Sequence, residues 1–141
     1  MAEHMLRRAL AARGIDHHVS VTSAGIAPYA RDGALVSLDT RMALREVGID
    51  LGDAATSTDL KRHPEMLERA DLIIAMTELQ ARELVEKFPG ARGRSVHTLR
   101  SFTGSAGDID DPYEKGDQVF AECREEINRL IPSLIERLFA G

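Results

Sequence analysis

The chain has 141 residues, a length typical of one domain, and 43% of them are hydrophobic, which is enough for a core. Its 23 acidic and 18 basic side chains give a formal net charge of -5, which argues against nucleic acid or an anionic membrane surface as the main partner. The single cysteine, Cys123, excludes an internal disulfide and fits a reducing compartment. We therefore expect a cytoplasmic protein of one domain, residues 1–141.

The first half of the chain predicts helices that alternate with a strand. Apolar residues at helical spacing begin at the first residue, and an alternating segment follows them. The elements expected here are a helix ending at Gly14, a strand over His18–Ser23, a polar loop over Ala27–Gly33, a helix between Leu35 and Gly48, and a short helix over Pro64–Ala70.

The second half continues the alternation. Leu72–Met76 is a continuous apolar run, as expected of a parallel strand that is covered on both faces. Thr77 and Gln80 have the spacing of a capping box, which predicts a helix from Glu78 to Phe88. The remaining expected elements are a strand over Ser95–Leu99, a loop over Arg100–Gly116, and a last helix from Asp117 that Pro132 kinks or splits. This order predicts a three-layer α/β sandwich with right-handed crossovers.

Four strings in this order resemble the low-molecular-weight protein tyrosine phosphatase family. They are Met1–Glu3, Thr22–Gly25, Ala70–Thr77 and Asp111–Tyr113, and they fall at the family's spacing over essentially the whole chain. The stretch from His97 to Ile109 resembles the bacterial branch that includes protein-arginine phosphatases. The resemblance implies a phosphatase fold with a parallel sheet.

In that family the Met-Ala-Glu string follows a first strand and a phosphate-binding loop, Cys-x5-Arg-Ser-Pro. Because the sequence starts at Met1, we expect the domain to be N-terminally incomplete by roughly a dozen residues or more. The nucleophilic cysteine, the phosphate-binding arginine and the central strand of the parallel sheet would then be absent. Loss of that strand would leave unpaired backbone groups and an apolar slot, so we expect marginal stability or self-association through the exposed sheet edge.

Asp111 is the candidate catalytic residue. Taken alone, Asp110-Asp111-Pro112 favours a solvated turn, since Asp-Pro commonly starts turns. The resemblance reverses this preference and implies that Asp111 protonates the leaving group and later takes a proton from water. Asp108 and Asp110 could raise the pKa of Asp111 or bind a cation, although solvated loop charges are the simpler interpretation.

Two tyrosines are candidate substrate-binding residues. The resemblance implies that Tyr113 forms an aromatic wall for the substrate and that Tyr29 lies in a variable loop at the mouth of the pocket. An exposed loop tyrosine is the simpler interpretation of Tyr29. Cys123 shares the helical spacing of Phe120 and Ile127, which predicts a core residue and not a reactive thiolate.

The sequence thus predicts a phosphatase acting on a phosphorylated protein or a small phosphate ester, with phosphotyrosine and phosphoarginine both open as substrates. The resemblance implies a phosphocysteine intermediate in the intact form and no metal or organic cofactor, and the five histidines have no metal-binding spacing. We expect these 141 residues alone to be inactive. The alternative is a pseudophosphatase that binds or regulates a partner without catalysis.

Overall fold

A computed structural model of the protein describes residues 1–52, 54–112 and 115–140. Within these residues, helices are packed around a small parallel sheet. The helices are α1 (Ala2–Ala12), α2 (Leu38–Arg45), α3 (Glu65–Arg69), α4 (Glu78–Lys87), α5 (Leu99–Phe102) and α6 (Asp117–Phe139), and the strands are β1 (Ile73–Ala75) and β2 (Val96–Thr98).

The sheet lies between two layers of helices. β1 and β2 pair in parallel with Ile73 opposite Val96, Ile74 opposite His97 and Ala75 opposite Thr98. Ile74 packs against a core cluster that includes Leu10 of α1, Leu44 of α2 and Ile131 of α6. Ile73 packs against a second cluster, which includes Leu67 of α3 and Leu84 of α4. Since successive strand residues point to opposite faces, the two cores confirm a three-layer α/β arrangement.

Several local predictions are confirmed. α4 begins at Glu78 with a complete capping box, because the side chains of Thr77 and Gln80 each accept a hydrogen bond from the other residue's backbone N–H. β2 falls within the predicted strand, and α6 starts at Asp117 as expected.

The strand predicted over His18–Ser23 is wrong. His18 ends a 3-10 turn that starts at Asp16, and the following residues belong to no strand. A strand exists only where another strand lies within hydrogen-bonding distance, and the next regular pairing is a parallel bridge between Gly25 and Asp59. The alternation of apolar residues identified an extended segment, but it could not supply the partner.

Three further boundaries differ from the predictions. α2 begins at Leu38 and not at Leu35, because Leu35 forms an antiparallel bridge with Thr56. Leu99–Phe102, expected to end a strand and begin a loop, forms α5 with Thr98 as its N-cap. Pro132 lies inside α6 without splitting it. Among the described residues, none of the helices has both the length and the apolar character needed to cross a membrane.

Candidate active site

A cavity of about 790 Å³ lies beside β1. Its walls include Ile73–Met76 and the extended segment Thr22–Ile26, together with the start of α1. Among the described residues β1 pairs with β2 alone, so the other edge of β1 faces this cavity. The apolar run that was expected to be covered on both faces is therefore only half-buried from Ile73 to Met76.

The loop that carries the predicted acid is anchored to the C-terminal end of β1. The backbone N–H of Ile109 donates to the carbonyl oxygen of Met76 at 2.9 Å, and the Ile109 side chain is buried in the first core cluster. Oδ1 of Asp108 accepts a hydrogen bond from the backbone N–H of Glu78 at 2.9 Å. Together these contacts place Asp111 and Pro112 at the cavity wall. The role of Asp111 as the acid stays a prediction.

Asp108 is not merely a solvated loop charge. Although exposed, it satisfies one of the backbone N–H groups that the first turn of α4 leaves unpaired, and its charge lies at the helix end that favours anions. Sequence spacing gave no signal for this contact, because thirty positions separate the two residues. Among the described residues, no three His, Cys, Asp or Glu side chains converge in a way that could hold a metal ion.

Cys123 also contributes to the cavity wall. It is half-buried on α6 and packs against the first core cluster. Burial raises the pKa of the Cys123 thiol, the positive charge of the N-terminal amine lowers it, and the carboxylate of Asp111 has a smaller effect that raises it. The pKa is raised on balance, which disfavours the thiolate, so Cys123 has the environment of a structural cysteine and not of a nucleophile.

Tyr29 lies at the cavity and is largely exposed, with 77% of its surface accessible. Its exposure agrees with the simpler interpretation of an exposed loop tyrosine, and its role in substrate binding stays a prediction. Tyr113, the other predicted substrate-binding residue, lies outside the described residues.

The extended segment opposite β1 is fixed to α1 by side chains. The Ser23 hydroxyl donates to the Glu3 carboxylate, which also pairs with Arg7 at 2.9 Å. Nε of Arg7 in turn donates to the carbonyl oxygen of Val21 at 3.0 Å. These bonds, together with the parallel bridge between Gly25 and Asp59, hold the second wall of the cavity in place.

The loop that bears Tyr29 has a charged anchor that the sequence did not reveal. Oδ2 of Asp32 lies 3.0 Å from Nε2 of His63, and Oδ1 of Asp32 accepts from the backbone N–H of Asp59 at 3.2 Å. The sequence indicated nothing about His63 beyond the lack of metal-binding spacing among the five histidines. The two partners are far apart in sequence, so no local motif could indicate the pair.

Comparison with known proteins gives a consistent result. The family model "Low molecular weight phosphotyrosine protein phosphatase" matches residues 1–140. A protein-arginine-phosphatase of Geobacillus stearothermophilus is 36% identical over 121 residues, covering 85% of this chain and 77% of the relative.

Two solved structures are also similar to this chain. A low molecular weight protein tyrosine phosphatase from T. tengcongensis has a TM-score of 0.83 at 32% identity, covering 96% of this chain and 88% of the other. The arginine phosphatase YwlE, solved as a cysteine-to-serine mutant with a phosphorylated active-site serine, has a TM-score of 0.85 at 29% identity and covers 97% and 85%.

Proposed function

Since the chain belongs to the low molecular weight phosphotyrosine protein phosphatase family, we propose that its site removes phosphate from phosphotyrosine or phosphoarginine in proteins. The observation that carries this proposal is the anchored loop that presents Asp111 to the cavity beside the C-terminal end of β1. The C-terminal edge of a parallel sheet is where open α/β folds bind their ligands.

In the proposed reaction, a cysteine thiolate attacks phosphorus and a phosphocysteine forms as the bond to the leaving group breaks. Asp111 donates a proton to the leaving oxygen or nitrogen, and the resulting carboxylate then takes a proton from the water that hydrolyses the intermediate. The phosphorylated serine of the YwlE mutant supports a covalent intermediate in a relative. Tyr29 and Tyr113 would flank the substrate.

We infer that these 141 residues form one domain, which supplies the general acid of the site but not its nucleophile. Support comes from Cys123, the one cysteine in the sequence, whose half-buried position and raised pKa disfavour attack. The polypeptide of these residues alone is then expected to show no turnover. Its single cysteine also fits the cytoplasm as its compartment.

A second candidate function is partner binding without catalysis, by a pseudophosphatase. The observation that favours it is the open edge of β1 at the cavity, because an unpaired strand edge can accept a strand from another chain. A second copy of this chain is one such partner. Sedimentation velocity across a range of protein concentrations would then show a dimer, whereas a monomer at every concentration would contradict self-association.

The catalytic proposal is tested by assaying the 141-residue chain beside a version preceded by a strand and a Cys-x5-Arg-Ser-Pro loop. Phosphotyrosine and phosphoarginine are the substrates, at mildly acidic pH. We expect turnover only in the extended version, and Asp111→Asn should lower its kcat on phosphotyrosine by about 10²–10⁴-fold, the usual contribution of a general acid. Asp110→Asn is the matched control and should change kcat only slightly.

p-Nitrophenyl phosphate separates the role of the acid from other effects. Its leaving group is far less basic than the phenolate of tyrosine, whose pKa is about 10, so Asp111→Asn should cost less with this substrate. An equal loss with both substrates would contradict the acid role. Turnover by the 141-residue chain that disappears in Cys123→Ser would overturn the assignment of the nucleophile.

A further inference from the structure

The loop that bears Tyr29 is attached to the segment between Thr56 and His63 at both of its ends. At the first end, the N–H of Gly25 donates to the carbonyl oxygen of Thr58 at 2.9 Å. At the other end, the N–H of Gly33 donates to the carbonyl oxygen of Ser57 at 2.9 Å. These backbone bonds fix the ends of the loop, and a turn bond from the N–H of Ala30 to the carbonyl oxygen of Ala27 at 3.0 Å shapes its middle. Side-chain contacts then attach the loop to the segment beside it.

Three side chains make those contacts. Oγ of Ser57 donates to the carbonyl oxygen of Arg31 at 3.0 Å. Nζ of Lys61 donates to the carbonyl oxygen of Ala27 at 2.6 Å, just before Tyr29. Asp32, which follows Tyr29, joins the N–H of Asp59 and the ring of His63. The histidine contact can be switched by a proton, because the ordinary pKa of histidine lies in the physiological range.

Both ring nitrogens of His63 face carboxylate oxygens. Nε2 lies 3.0 Å from Oδ2 of Asp32, and Nδ1 lies 3.3 Å from Oε1 of Glu65. An ionised carboxylate only accepts hydrogen bonds, and a neutral imidazole has a single N–H. The neutral ring would therefore leave one lone pair facing an acceptor, whereas the imidazolium donates to both carboxylates.

We propose that Asp32, His63 and Glu65 form a proton-controlled latch, which holds the Tyr29 loop at the cavity when His63 is protonated and loosens it when His63 is neutral. Its effect on substrate binding rests on the proposed function, whereas the latch itself rests on these hydrogen bonds. The three are positioning residues, because they act on the substrate site through Tyr29.

The two carboxylates of the latch act on His63 in the same direction. The hydrogen bond to Asp32 raises the pKa of His63, burial opposes it with a smaller effect, and the contact with Glu65 adds a still smaller effect that raises the pKa. His63 correspondingly lowers the pKa of Asp32 through that bond. Three cations also lie near the latch. Lys61 pairs with Asp59 at 3.1 Å. Arg62 lowers the pKa of Asp32, and Arg69 lowers the pKa of Glu65.

The latch is tested by NMR titration of the 141-residue chain between pH 5 and 9, which requires neither a nucleophile nor turnover. The His63 ring should titrate above the ordinary histidine value, and Asp32→Asn and Glu65→Gln should each lower its pKa. The backbone amide of Gly33 and the ring of Tyr29 should titrate with the midpoint of His63. His63→Gln should abolish that titration, and His17→Gln, at an exposed histidine outside the latch, should leave it unchanged.

Two results would overturn the latch. One is a His63 midpoint that neither Asp32→Asn nor Glu65→Gln lowers, and the other is a Tyr29 loop whose signals are insensitive to the protonation of His63. Glu65→Gln serves as the second variant if Asp32→Asn fails to fold. If the titration confirms the latch but the extended protein shows no turnover, the proposed function is refuted and the latch stands. If the extended protein turns over substrate but the loop signals do not follow His63, the latch is refuted and the proposed function stands.

Discussion

Replacing Asp108 with alanine tests whether the acid loop is built onto α4. The substitution removes the acceptor for the Glu78 N–H at the first turn of the helix, where a lost side-chain acceptor typically costs about 0.5–2 kcal/mol. It also removes a negative charge from the helix N-terminus, an effect of about 0.3–1 kcal/mol that overlaps with the first. We therefore expect Asp108→Ala to lower the free energy of unfolding by about 1–2 kcal/mol.

Two matched variants separate the hydrogen bond from the charge. Asp108→Asn keeps an acceptor oxygen and loses the charge, so it should cost about 0.5 kcal/mol. Asp110→Ala removes a neighbouring exposed carboxylate and should stay within about 0.5 kcal/mol of the original protein, as surface substitutions usually do.

Urea denaturation monitored by circular dichroism measures these differences. With a slope of about 2 kcal/mol per molar urea, the midpoint for Asp108→Ala should fall by about 0.5–1 M. Amide exchange at Glu78 should also accelerate, because its N–H loses its partner. A midpoint for Asp108→Ala equal to that of Asp110→Ala would refute the reasoning.

Three further predictions concern the core, the cavity and pH. Leu44→Ala, at a fully buried position, should cost about 2–5 kcal/mol in urea denaturation, whereas Leu35→Ala, at a site 67% exposed, should cost much less. Cys123 should be alkylated by iodoacetamide more slowly than a free thiol, and Asp111→Asn should accelerate the reaction because it removes a charge that raises the Cys123 pKa. The pKa of His63 is raised in the folded state. The stabilisation that protonated His63 gives to the fold is therefore complete below the pKa of the unfolded state, about 6.5, and is lost as pH rises through the pKa of the folded state. The difference in Tm between the original protein and His63→Gln should therefore shrink from pH 6 to pH 9.

The elements that sequence predicted well are those whose signals are local. The capping box of α4 needs only Thr77 and Gln80, and the apolar spacing of α6 needs only its own residues. Even there, Pro132 was expected to kink or split the helix, and the helix is not split. The energetic cost of a proline inside a helix is thus a weaker predictor of where the helix ends than its packing, since α6 contributes buried residues to the core both before and after Pro132.

The contacts that build the candidate site could not be predicted, because they join residues that are far apart in the sequence. Asp108 meets the amide of Glu78 across thirty positions, and Asp32 meets His63 across thirty-one. No spacing rule relates residues that far apart, so the sequence yielded the acid at Asp111 through resemblance but not the groups that position it. The strand predicted over His18–Ser23 failed for a related reason, because pairing is a property of two segments and not of one.

The apolar run Leu72–Met76 connects these observations. Its sequence is typical of a strand covered on both faces, yet Ile73 to Met76 are only half-buried, because one edge of β1 faces the cavity. The hydrophobic character of this run therefore exceeds its burial at the open edge. The carbonyl of Met76, at the end of the same run, receives the N–H of Ile109 and thereby fixes the loop of Asp111. The position of the loop that carries Asp111, the candidate acid, is therefore set by β1 and α4.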